Sequence, residues 1–341
     1  MRRLSLVLIL VLAAGTAALA LGSLTREESV WKKTSYACVI RSIVEDDQGR
    51  LYLGTFGAGL WIREGVNWRQ VASPSGSLAD PRVSRLLLEG DDLLVATAGG
   101  GAARMNRTTG AWSHLVPDAP PPFRHFHAFL ALATGSYLLG SVGEGICLSS
   151  GPAWITRTES DGLPSDWVND ALATASGTWL GTWDGLARLE GTRIALVEMP
   201  AGGWKSGNIN VLALFGGRLY LGTATGGLVE RSEPAPVAKG TRPSRPQYRR
   251  VVGIPDQVHA LLPVGDSLWV GTEDGLFRVG LDGKTFPEEV PASASRAIKS
   301  LGLSRQGILV GTDIGQVYLL SDKKWVCVFD FPSQHGGGKP E

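Results

Sequence analysis

The sequence predicts an all-β chain: a seven-bladed β-propeller of four-stranded antiparallel blades, preceded by a signal peptide or an N-terminal anchor. Three observations predict it. A phrase of the form apolar-x-apolar-Gly-Thr, then a Gly-rich turn and a second apolar run, occurs seven times. Its copies follow one another at intervals of 40 to 49 residues, a period of propeller blades when the unit is strand-like and rich in turns. The composition agrees: 45 Gly, 11 Trp and 43% hydrophobic residues suit short strands, tight turns and aromatic anchors, and argue against disorder.

The copies run GRLYLGTFGAGLWI (49–62), DLLVATAGGGAARM (92–105), SYLLGSVGEGICL (136–148), GTWLGTWDGLARL (177–189), GRLYLGTATGGLV (217–229), DSLWVGTEDGLFRV (266–279) and QGILVGTDIGQVYLL (306–320). The small residue of each mark sets the phase: Gly54, Ala96, Gly140, Gly181, Gly222, Gly271 and Gly311. In the sixth copy the unit resolves into strands A to D at 258–264, 267–272, 275–280 and 284–290. Leu268 and Val270 alternate with Trp269, so both faces of strand B are expected to be covered. Gly271 admits a close neighbour, Thr272 offers its hydroxyl to a turn, and Asp274-Gly275 makes the B–C hairpin. Aromatics open several D strands (Trp68, Trp112, Trp154, Trp325) and are expected to pack between blades.

The expected organisation is a signal peptide or signal anchor at 1–22, an N-terminal segment at 23–37, the propeller at 38–331 and a flexible tail at 332–341. Arg2 and Arg3 precede an apolar run from Leu4 to Leu21 that ends in small-x-small sites; cleavage and retention as an anchor both remain open. Either way the chain is expected in the periplasm or outside the cell. One of the end segments, 29–36 or 325–331, is expected to lie beside the other's blade and close the ring. Pro117 to Pro122 stiffens a passage between blades, and Ser232 to Pro246 forms a long basic loop. Three Cys, at 38, 147 and 327, lack a CxxC pattern and read as buried small hydrophobes; a Cys38–Cys327 bridge across the ring ends is the alternative.

With the repeat in hand, a family resemblance follows. DGLPSDWVNDALATASGTWLGTWDGLARL (161–189) and VIRSIVEDDQGRLYLGTFGAGLWI (39–62) resemble the two-component regulator propeller repeat. The likeness runs through nearly the whole mature chain and is weakest in blades 2 and 3, where Ala96 and Ser141 depart from Gly-Thr. It implies an extracytoplasmic sensing propeller, the half of hybrid histidine kinases that in many members responds to polysaccharide fragments. No kinase or receiver is read in these 341 residues, so the expectation is a free-standing propeller that acts by binding.

The position after the first apolar residue of strand A is polar in every blade: Arg41, Ser84, His127, Asn169, Asn210, His259 and Lys299. Strand A is innermost, so these seven should ring the channel mouth and form a hydrated, mildly basic funnel. It could hydrogen-bond an oligosaccharide or an acidic side chain of a protein, or simply hold water. No cofactor or metal is expected: His125 and His127 lie in blade 3 and His259 in blade 6, roughly opposite each other. Asp46-Asp47 and Asp91-Asp92 sit in A–B turns and read as turn chemistry. No nucleophile elbow or phosphate loop appears, and a net charge of +1 gives no field for nucleic acid. The function expected is a non-catalytic interaction module for a protein or an envelope glycan, with no membrane contact beyond the N-terminal run and an open oligomeric state. A divergent propeller lyase or hydrolase is the alternative.

Overall fold

A computed structural model describes residues 38–71, 78–115, 124–133, 135–150, 153–197, 207–232 and 245–331. The signal or anchor, the 23–37 segment, the Pro117–Pro122 stretch, nearly all of the long basic loop and the 332–341 tail lie outside these residues.

The described chain is a seven-bladed β-propeller. Seven four-stranded antiparallel sheets each use four consecutive strands, paired in sequence order. The sixth sheet comprises Val258–Val264, Ser267–Thr272, Gly275–Gly280 and Thr285–Glu288, within two residues of the sequence expectation. The innermost strands are Ile40–Glu45, Val83–Glu89, Phe126–Ala133, Val168–Thr174, Ile209–Phe215, Val258–Val264 and Ile298–Ser304. Each contacts the next, and the last contacts the first.

Of the two end segments considered for ring closure, 325–331 stays in its own blade and 29–36 lies outside the described residues. Lys324–Asp330 pairs with the preceding strand of its own sheet, so among the described residues no strand crosses to another blade. Side-chain packing joins the first and last blades. Ile40, Leu53 and Trp61 of the first sheet share a core cluster with Leu309, Val317 and Phe329 of the last. Phe329 meets Trp68 edge-on at 4.7 Å and Trp61 at 5.2 Å. The apolar area buried there holds the two end blades together. No disulfide joins the three cysteines; Cys38 and Cys147 are buried, whereas Cys327 is exposed on an outermost strand. The bridge is therefore not formed, and the expectation of burial fails at Cys327 because outer strands have one wet face.

The repeated Gly-Thr mark has a distinct job for each residue. A Cβ built on Gly54, Gly140, Gly181, Gly222, Gly271 or Gly311 would fall 2.6–2.8 Å from a side-chain carbon of Val83, Val168, Ile209, Val258, Ile298 or Ile40 respectively. Each partner is the first residue of an inner strand in the following blade, so the small residue sets the distance between sheets. Blade 2 has Ala96, and there the partner is Phe126 in a shared cluster. The hydroxyl works within its blade: Thr55, Thr97, Ser141, Thr182, Thr223, Thr272 and Thr312 each donate to a carbonyl across the B–C turn. All seven are at most 2% exposed, so the bond satisfies a polar group that would otherwise be buried unmet.

Gly222 gives a direct test. Its added Cβ would stand 2.6 Å from both Val211 Cγ1 and Val258 Cγ1. Gly222→Ala is expected to lower the unfolding free energy in urea by about 1–3 kcal/mol. Pairing it with Val258→Ala should recover part of that loss; strictly additive losses would show that the seam is not the cause.

Candidate functional site

The seven mouth residues share one backbone feature. In every blade the pairing of the two innermost strands slips at this position, so Arg41, Ser84, His127, Asn169, Asn210, His259 and Lys299 are each the extra residue of a β-bulge. A bulge leaves one residue unpaired and re-aims its side chain. That is why a polar residue recurs in an otherwise apolar strand. The structure places all seven in the lining of one cavity of about 270 Å³.

Their neighbours divide them. Asn169 Nδ2 donates to Ile209 O at 3.0 Å, and Asn210 Nδ2 to Val258 O at 3.0 Å. Ser84 Oγ donates to Phe126 O in the same manner. These three tie the start of one inner strand to the next, and much of their bonding capacity is used there. His259 Nε2 lies 2.7 Å from Glu273 Oε2 and 3.0 Å from Lys299 Nζ, and Lys299 reaches the same carboxylate oxygen. Burial, then the Lys299 charge, lowers the His259 pKa against the pull of Glu273.

Arg41 stands apart. Its guanidinium lies 5.5 Å over the Phe56 ring, and among the described residues no carboxylate pairs with it. Burial, then the charge of Arg85, lowers its pKa. His127 is held neutral: burial first, then Arg41, Arg85 and His125, pull its pKa to about 4, opposed by a hydrogen bond with Asn169. Below this level Arg85 pairs with Asp170, whose other oxygen accepts the Leu212 N–H at 2.8 Å. That ion pair joins blades 2 and 4 across the channel.

The sequence reading missed Arg85, Asn208, Val211, Trp167 and Trp183, which also line the cavity. The two indoles meet edge-on at 5.1 Å, and 43% and 48% of their surfaces stay exposed. Trp167 precedes an inner strand; Trp183 follows the Gly-Thr mark and donates its N–H to Trp167 O. The repeat phase carried the signal: the positions matching Trp183 are Phe56, Ala98, Val142, Ala224, Glu273 and Asp313, and only blade 4 has Trp at both places. His127 and His259 line the same cavity although their blades are far apart in the ring. Among the described residues no cluster of His, Cys, Asp or Glu is close enough to hold a metal, and no helix is long and apolar enough to cross a membrane.

Residues 37–57 match the two component regulator propeller family, the repeat that the sequence resembles. No curated protein matches the sequence. Two extracellular domains from B. thetaiotaomicron share the fold. One, described as part of a one component system, has a TM-score of 0.66 at 17% identity over 81% of this chain. The other, described as part of a hybrid two component system, has 0.66 at 16% over 82%. This chain spans only 37% and 39% of their lengths. Virginiamycin B lyase from Staphylococcus aureus is similar at a TM-score of 0.63 and 10% identity, over 82% of this chain and 94% of the lyase. At such identities the likeness is one of fold.

Proposed function

We propose that this protein is an exported, non-catalytic binding module, sensor-like or scaffold-like, that recognises a protein partner or an envelope glycan at its channel mouth. It works in the periplasm or outside the cell, free or held at the membrane by residues 4–21. One observation carries the reading. Seven bulge side chains meet in a single cavity whose rim keeps two large indoles in water. A concave polar site flanked by exposed aromatic surface is the usual form of a recognition site. Similarity to extracellular domains of sensor systems supports the sensor-like role.

A glycan array probed with the wild-type chain and with Trp167→Ala/Trp183→Ala tests the location. Binding is expected to fall at least about tenfold in the double variant, the loss of two aromatic contacts. Undiminished binding would move the site away from the mouth. A second reading, a divergent propeller lyase or hydrolase, draws on the hydrogen-bonded His259, Glu273 and Lys299 set, side chains suited to general acid–base work, and on the fold shared with the lyase. It expects turnover of the bound compound, abolished in His259→Gln while binding persists.

A further inference from the structure

The cavity is polarised. Lys299, Arg41 and Arg85 come from blades 7, 1 and 2, which are consecutive around the closed ring. Trp167 and Trp183 stand at blade 4, across the channel. No Asp or Glu is among the described lining residues. Two of the three cations have carboxylate partners, Glu273 for Lys299 and Asp170 for Arg85. Arg41 has none among the described residues, and its guanidinium lies over the face of Phe56. An enclosed guanidinium beside a second arginine is costly unless an anion joins it.

From this arrangement, and resting on the mouth being the binding site, we infer that the ligand carries a carboxylate attached to a six-membered ring. The carboxylate is received by the Arg41 guanidinium, whose fork matches its two oxygens. The ring lies against the Trp167 and Trp183 wall, where large rigid surfaces offer contact at little entropic cost. A volume of about 270 Å³ is near the lower bound of small-molecule sites. It therefore admits one ring with its acid group, not a folded protein segment. A sugar acid and an aromatic acid share this chemistry, and the test separates them.

Calorimetric titration of the full chain with D-galacturonate, benzoate, D-galactose, acetate and an N-acetylglutamate peptide reads the ligand chemistry. At least one ring carboxylate is expected to bind about tenfold or more tightly than both galactose and acetate. Galacturonate ahead of benzoate identifies a sugar acid, and the reverse order an aromatic acid. Arg41→Gln should lose about tenfold or more of that affinity, and Arg41→Lys should keep part of it. Because no carboxylate among the described residues pairs with Arg41, Arg41→Gln should melt no lower than the wild type; a lower melting temperature would assign Arg41 a structural role instead. Galactose binding as tightly as galacturonate, no effect of Arg41→Gln, or preference for the peptide would each overturn the inference. A wild-type chain that binds glycans on the array but none of these acids overturns it while leaving the mouth site standing. Loss of the array signal's dependence on Trp167 and Trp183 is the separate failure of the underlying site.

Discussion

Asp46→Ala is expected to destabilise the propeller by about 3–5 kcal/mol, the range for removing one partner of a buried charge cluster. Asp46 is 3% exposed and serves five donors. Its Oδ1 accepts the N–H groups of Gln48 and Arg50, which is the turn chemistry read from the sequence. Its Oδ2 accepts Arg50 Nε at 2.7 Å, Tyr52 Oη at 2.9 Å and Arg107 Nη1 at 2.8 Å. Arg107 belongs to the next blade, so the carboxylate fastens a seam as well as a turn. Burial pushes the acid up. The backbone and side chain of Arg50, then Arg107 and Tyr52, outweigh it and hold its pKa at about 2. Alanine would leave Arg107, whose side chain is 7% exposed, without its buried partner. Urea unfolding compares the variant with Asp46→Asn, which keeps the turn acceptor and loses only the charge; Asn should cost less. A loss below about 1 kcal/mol for Ala would mean that the arginines find other partners.

The second large effect is a dependence on pH set by His127. The imidazole has a pKa of about 4 in the fold against 6.5 for the free group. Between these values the unfolded chain takes a proton that the folded chain refuses, so stability must fall as the pH is lowered. The loss begins near pH 6.5, totals ~3 kcal/mol, and is complete below about pH 4. The Asp46 pKa is lowered too, and its window lies at lower pH. Its stabilisation is full above its ordinary value of 3.8 and is lost as the pH falls through about 2. Unfolding free energies of wild type and His127→Gln, measured from pH 7 to 4, should diverge less at pH 7 than at pH 4 if the imidazole is the source. Parallel curves would place the acid sensitivity elsewhere. His259 is depressed in the same direction and is present in both proteins, so the difference between them isolates His127.

Much of the candidate site was legible because a propeller converts repeat phase into position. Arg41 and Lys299 are 258 residues apart in sequence, yet they occupy the same step of the same strand type and therefore line the same cavity. The indoles escaped because the reading followed inner strands, whereas Trp167 and Trp183 sit in the two loops that flank them. Aligning the residue after each Gly-Thr mark would have found Trp183 among mostly smaller residues. Cys327 was misread for a related reason: its burial depends on which side of an outer strand faces water, and local pattern is weakest where one face is wet.

The sequence alone determined the blade count, the strands of the sixth blade and the shared strand position of the seven cavity-lining residues, since each follows from a period and a pattern that act within one repeat. Only the tertiary structure decided which of those residues remain available. Ser84, Asn169 and Asn210 are taken up by carbonyls of the neighbouring inner strand, and Lys299 is held by Glu273. Among the described residues, Arg41 alone of the lining cations has no acid partner. These assignments join side chains from different blades, and ring closure, not local sequence, brings such partners within reach.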